Sequence, residues 1–126
     1  MNISSLKVLV ADDSKTMLRI IKNTLSRIGV KDIDLVENGL EGLEKYKQGK
    51  PYDIILTDWN MPIMNGYEFV IEIRKFNQDI PIVMITTEGG KAEVIKALKA
   101  GVNNYVVKPF TPQVLKAKLE GILSIS

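Results

Sequence analysis

The chain has 126 residues, with 17 Lys and Arg against 15 Asp and Glu, a net charge of +2, 45% apolar and 25% charged side chains, and neither cysteine nor histidine. That length and apolar content suit one globular domain with its own core, and the near-neutral balance gives no ground for nucleic-acid or membrane binding by bulk charge. Lack of cysteine excludes disulfide and thiolate chemistry, and lack of histidine excludes Ser-His triads and imidazole metal or acid–base sites, so any reaction must use carboxylates, lysines, hydroxyls or a bound ion.

The amino-terminal segment MNISSLKVLVADD lacks a basic stretch leading into a long apolar run. It does not read as a signal peptide, no apolar run approaches a membrane span, and a cytoplasmic location is expected. Residues 1–5 read as loose. KVLVA at 7–11 is the first strand. Met17, Leu18, Ile21, Leu25 and Ile28 then form one stripe of a helix over 14–28, with Gly29 as its stop. The half-polar KDIDLVEN predicts a second strand at 34–37, on a sheet edge. Leu40, Leu43 and Tyr46 mark a short helix that ends near Gly49 and Pro51, and DIILT at 53–57 is the third strand. Phe69, Val70 and Ile73 mark the third helix, and IVMIT at 82–86 is an apolar fourth strand. A fourth helix carries Val94, Ile95, Leu98 and Val102, interrupted at Gly101; NYVV at 104–107 is the fifth strand. The last helix carries Val114, Leu115, Leu119, Ile122 and Leu123, with Pro112 suited to its first turn. Five β–α alternations with short links predict one α/β domain over residues 1–126. It is a (βα)5, doubly wound, five-stranded parallel sheet with helices on both faces.

Ligands of such sheets bind beyond the carboxyl ends of the strands. Asp12 and Asp13 follow the first strand, Asp58 the third, Thr86 ends the fourth and Lys108 follows the fifth. Each alone has an ordinary explanation: Asp13 or Ser14 as a helix cap, Asp58 as a turn residue, Thr86 as a β-branched strand residue, Lys108 as a solvated end. Together they are not explained by capping. Three carboxylates and one lysine leave about −2 of formal charge, which like-charge repulsion disfavours. A divalent hard cation relieves it, and oxygen ligands without His or Cys favour Mg2+ over Zn2+. Such a site suits phosphoryl transfer, which depends on positioning and charge neutralisation, and Asp58 is the expected nucleophile. Aspartyl-phosphate formation would raise the local negative charge and supply acceptor oxygens beside the Thr86 hydroxyl.

The motifs VADDS at 10–14, TDWNMPIMNG at 57–66, ITTEGG at 85–90 and AGVNNYVVKPFTP at 100–112 resemble the receiver domain of bacterial response regulators along essentially the whole chain. They are most like its single-domain chemotaxis members, the ε-proteobacterial ones in particular. The resemblance implies a flavodoxin-like strand order 2-1-3-4-5 and a switch turned on by phosphorylation. By position, Asp58 is the phosphorylated aspartate, Asp13 a direct Mg2+ ligand, Asp12 a second acid holding the ion, and the Asn60 backbone carbonyl a further ligand. Thr86 matches the switch hydroxyl, Tyr105 the switch aromatic, Lys108 the site lysine with Pro109 as the cis-proline after it, and Asn60 and Glu88 the positions that tune phosphoryl lifetime. The implied output face comprises Lys91, Val94, Leu98, Val102, Tyr105 and Lys118, although periodicity alone leaves Leu98 open between core and surface. A histidine kinase as phosphodonor, the flagellar motor switch as output partner and room for a phosphatase follow from the resemblance, with a monomer expected. A single domain of this kind is expected to signal through a protein partner, and transcriptional output through this chain is not expected. Among rivals, a dehalogenase-type aspartyl-phosphate hydrolase would want a second aspartate where Asn60 stands. Flavodoxin would want a hydroxyl- and glycine-rich phosphate loop where ADDSK stands, and a receiver that works without phosphorylation would not need all five site residues.

Overall fold

The computed structural model describes residues 3–123. Its sheet has five parallel strands in the order β2-β1-β3-β4-β5, as the resemblance implied. The strands are β1 (Lys7–Ala11), β2 (Asp32–Val36), β3 (Ile54–Thr57), β4 (Ile82–Thr86) and β5 (Asn104–Val107). The helices are α1 (Lys15–Ile28), α2 (Gly39–Lys47), α3 (Gly66–Phe76), α4 (Lys91–Ala100) and α5 (Pro112–Leu123). Ile3–Ser5 forms a single 3-10 turn within the segment expected to be loose. Met1 and Asn2 lie outside the described residues.

Strand alternation sends side chains to two cores. Val8, Val10, Ile54, Leu56, Val83 and Ile85 face α1 and α5, meeting Leu18, Ile21, Leu25, Leu115 and Leu119. Leu9, Ala11, Ile55, Ile82 and Met84 face α2, α3 and α4, meeting Leu43, Phe69, Val70, Ile73 and Ala97. Burial along the whole length of β3 and β4 explains why both are apolar up to their terminal threonines, Thr57 and Thr86. At the edge, β2 begins two residues earlier than its apolar pattern predicts. Asp32 and Asp34 are accommodated there because Lys50 bridges them at 2.5 and 2.8 Å and the Tyr52 hydroxyl donates to Asp34 at 2.6 Å. Among the described residues no helix is long and apolar enough to cross a membrane.

Parallel pairing fixes what stands at the carboxyl rim. Ala11 is level with Thr57, Thr57 with Met84, and Thr86 with Val107. Asp12, Asp58 and Lys108 are therefore each the first residue beyond their strand, carried side by side by the sheet itself.

Candidate functional site

Asp58 is held at the rim by backbone on both sides: its N–H donates to Ala11 O at 2.9 Å, and its own Oδ1 accepts from the Trp59 N–H at 2.6 Å. The other oxygen, Oδ2, accepts from Lys108 Nζ at 2.9 Å, and the same ammonium donates to Asp12 Oδ2 at 2.8 Å. Asp12 is 1% exposed, and its Oδ1 accepts from the Ser14 N–H at 2.9 Å. Ser14, not Asp13, caps α1, its hydroxyl accepting from the Met17 N–H. The capping explanation therefore covers Ser14 and does not extend to Asp13.

Burial holds the Asp12 carboxyl above its usual range, against the lowering effect of Lys108 and of the Ser14 amide. Burial also opposes the charge on Lys108, but there the two carboxylate hydrogen bonds outweigh it and keep the ammonium above its ordinary value. One ammonium thus serves two buried carboxylates. Asp13 is exposed at the mouth, and one carboxylate oxygen each from Asp12, Asp13 and Asp58 fall within 4.8 Å of one another. Three hard oxygen donors in excess of their lysine fit a small divalent cation of the Mg2+ type, and the absence of nitrogen or sulfur donors disfavours zinc.

Thr86 is fully buried, its hydroxyl accepting from the Glu88 N–H at 3.3 Å and its carbonyl from the Lys108 N–H at 2.8 Å. The Lys108–Pro109 peptide is cis. Tyr105 is half-buried, and its hydroxyl donates to the Glu88 carbonyl. Burial, with the Glu88 carboxylate next in effect, pushes that phenol up to about 12, so it remains a donor at neutral pH. The Glu88 side chain reaches across the mouth to accept from Asn60 Nδ2 at 2.8 Å. The two positions assigned to phosphoryl lifetime are therefore in direct contact.

On the outer face, Lys91, Leu98 and Lys118 are exposed, Val94 and Tyr105 are half-buried, and Leu98 at 49% exposure resolves to the surface. Val102 departs from the expectation. It is 4% exposed and packs in the core beneath α3 and α4, because Gly101 ends α4 in a left-handed turn and directs the next residue inward. It does not present a side chain to a partner in this structure.

Other contacts have no local signal in the sequence. The indole of Trp59 stacks on Tyr67 at 5.6 Å and 11°, and Lys96 lies above that pair. Gly66 passes so close to the site loop that a Cβ there would lie 1.8 Å from the Asp58 carbonyl oxygen. Its N–H closes the loop onto Trp59 O at 2.7 Å. A glycine after an asparagine reads as a helix start, which it is, and this close approach is a second constraint on the same residue.

Comparison with known proteins gives the family. Residues 8–120 match the family described as response regulator receiver domain. Chemotaxis protein CheY1 of Helicobacter pylori strain J99 is 62% identical over 120 residues, covering 94% of this chain and 97% of that protein. A chemotaxis protein CheY homolog of Campylobacter jejuni is 59% identical over 120 residues, 94% of this chain and 92% of that protein. Among solved structures, a CheX–CheY complex from Borrelia burgdorferi with BeF3 and Mg2+ contains a chain that superposes with a TM-score of 0.88 at 27% identity, covering 94% of this chain and 89% of that one.

Proposed function

The chain belongs to the response regulator receiver domain family, in its CheY-type chemotaxis signalling branch, and from that premise we propose that it is a phosphorylation-activated switch that accepts a phosphoryl group on Asp58. The observation that carries this reading is the cluster at the rim: Lys108 bridging Asp12 and Asp58, with the Asp13 carboxylate within 4.8 Å. A bound Mg2+, held by Asp12, Asp13, Asp58 and the Asn60 backbone carbonyl, would neutralise charge on the phosphoryl oxygens. The BeF3 and Mg2+ in the Borrelia complex support that assignment.

In transfer from a donor histidine, a carboxylate oxygen of Asp58 attacks phosphorus. The P–N bond breaks, the P–O bond forms, and the proton needed by the departing imidazole stays with the donor. The Trp59 N–H orients the Asp58 carboxylate and limits its rotation. Lys108 stabilises the charge that develops on the transferring oxygens. Thr86 supplies a hydroxyl at the end of β4 that turns from accepting the Glu88 N–H to donating to a phosphoryl oxygen. That exchange releases Glu88, and with it the Tyr105 hydroxyl that donates to its carbonyl. The signal thereby reaches the face carrying Lys91, Val94, Leu98, Tyr105 and Lys118.

We assign the input to a chemotaxis histidine kinase and the output to the flagellar motor switch, with the protein acting as a cytoplasmic monomer. Its chemistry is confined to its own modification. The side-chain contact between Asn60 and Glu88 covers the approach for a hydrolytic water and sets the lifetime of the acyl phosphate. The test is incubation with acetyl phosphate with and without Mg2+, following Trp59 fluorescence and protein-bound phosphate. A Mg2+-dependent change in both is expected. A flat signal with no acyl phosphate would sink the reading.

A further inference from the structure

Helix α4 is the least committed of the helices to the core: Ala97 alone among its residues is buried. Its N-cap, Gly90, has no side chain to satisfy the first amides. Its carboxyl end, in contrast, is pinned. Arg74 of α3 donates to Gly101 O from Nε at 3.2 Å and from Nη2 at 2.7 Å, and Nη2 also reaches Asn103 Oδ1 at 3.0 Å. A helix fixed at one end and sparsely packed along its length can swing about the fixed end unless something holds its middle.

Lys96 is in a position to do this. Its Nζ lies 4.3 Å from the Tyr67 ring centroid and 6.0 Å from that of Trp59. Those rings stack on each other; Trp59 lies in the loop that carries the acceptor and Tyr67 in the first turn of α3, where that loop ends. Trp59 follows Asp58 and donates its N–H to Asp58 Oδ1; Gly66, the neighbour of Tyr67, donates to Trp59 O. A continuous set of contacts therefore runs from the acceptor carboxylate through the aromatic pair to the middle of α4. It is separate from the path through Thr86 and Tyr105. We propose that Lys96 is a positioning residue whose ammonium, seated on the Trp59–Tyr67 stack, latches α4 to the acceptor loop and favours the unmodified arrangement. The inference rests on the proposed function for the role of Asp58, but Lys96 itself lies outside the phosphoryl machinery. An exposed cation–π contact is weak, which suits a bias between two arrangements and not a lock. Whatever the latch opposes must, by reciprocity, loosen the latch.

The test uses the full chain and two variants at this exposed position, Lys96→Met, which keeps length and removes charge, and Lys96→Arg, which keeps the cation. In unmodified, metal-free protein, hydrogen exchange of amides 94–98 is expected to quicken about two- to fivefold in Lys96→Met, the ratio set by a lost exposed cation–π contact. Exchange in α1 and at residues 101–103 should stay unchanged, and Lys96→Arg should match the parent. In calorimetric titration with beryllofluoride and Mg2+, Lys96→Met is expected to bind about two- to fivefold more tightly, for the same reason. Parental exchange at 94–98, or unchanged or weaker beryllofluoride affinity, overturns the proposal. Failure of the parent to bind beryllofluoride at all would instead strike the phosphoryl-acceptor reading, and the latch would then stand on the exchange result.

Discussion

Lys50 and Lys108 each bridge two aspartates, at 2.5 and 2.8 Å in one cluster and 2.8 and 2.9 Å in the other, yet the clusters do different work. The Lys50 cluster lies on the edge strand with its three charged side chains 25–40% exposed. The Tyr52 hydroxyl donates a further hydrogen bond to Asp34, and the rest of the cluster is open to solvent. It screens a sheet edge from further pairing and contributes little beyond that, as exposed ion pairs do. The Lys108 cluster is 1–11% exposed by side chain and has a third carboxylate at its mouth. There two of the three carboxylates are largely shielded from solvent, and three oxygen donors to one lysine fit a small divalent cation. The motif is the same; burial and one extra charge separate an edge-strand pair from the proposed acceptor site.

The same substitution in both clusters should break that comparison most visibly. Lys108→Met is expected to slow phosphoryl acceptance from acetyl phosphate by about 100- to 1,000-fold, the scale for losing one charge-stabilising donor. Lys50→Met should leave the rate at the parental value. A similar loss in both would remove the distinction. Next in size is the tolerance of the surrounding backbone. Gly66→Ala forces a Cβ against the Asp58 carbonyl and is expected to cost about 2–3 kcal/mol in urea unfolding, as overpacking does. A smaller effect is expected at the edge: Tyr52→Phe removes a 2.6 Å hydrogen bond to a carboxylate and should cost about 1.5 kcal/mol.

The smallest effect is in acid. Burial opposes ionisation of Asp34, but the hydrogen bonds from Lys50 and Tyr52 outweigh it and hold the carboxyl below the ordinary 3.8. Such a group contributes stability that is full above the ordinary value and is lost as the pH falls through its lower folded value. Thermal unfolding from pH 5 to pH 2 is therefore expected to decline less steeply for Asp34→Asn than for the parent, and parallel acid limbs would contradict the assignment.

Much of this was readable because parallel strands buried on both faces carry a strong signal. β1, β4 and β5 fall on the apolar runs, and the candidate site lies at the carboxyl ends of the strands. The misses have physical causes. β2 starts at Asp32 because Lys50, eighteen residues away, compensates its charge, and no local propensity encodes that. The period of α4 marks a helix without saying which side faces in. The stripe of Val94, Ile95, Leu98 and Val102 mixes exposed Ile95 and Leu98 with buried Val102, while small Ala97 takes the inner position. The Trp59–Tyr67–Lys96 group joins three segments and is visible only once α3 and α4 lie side by side.

The most direct measurement is to locate the phosphoryl group. Treat the parent, Asp58→Asn and Asp34→Asn with acetyl phosphate and Mg2+, reduce the acyl phosphate with borohydride, and map the modified residue by peptide mass spectrometry. The account predicts one modified residue, Asp58, in the parent and in Asp34→Asn, and none in Asp58→Asn. Modification retained in Asp58→Asn, or found on Asp32 or Asp34, would contradict it.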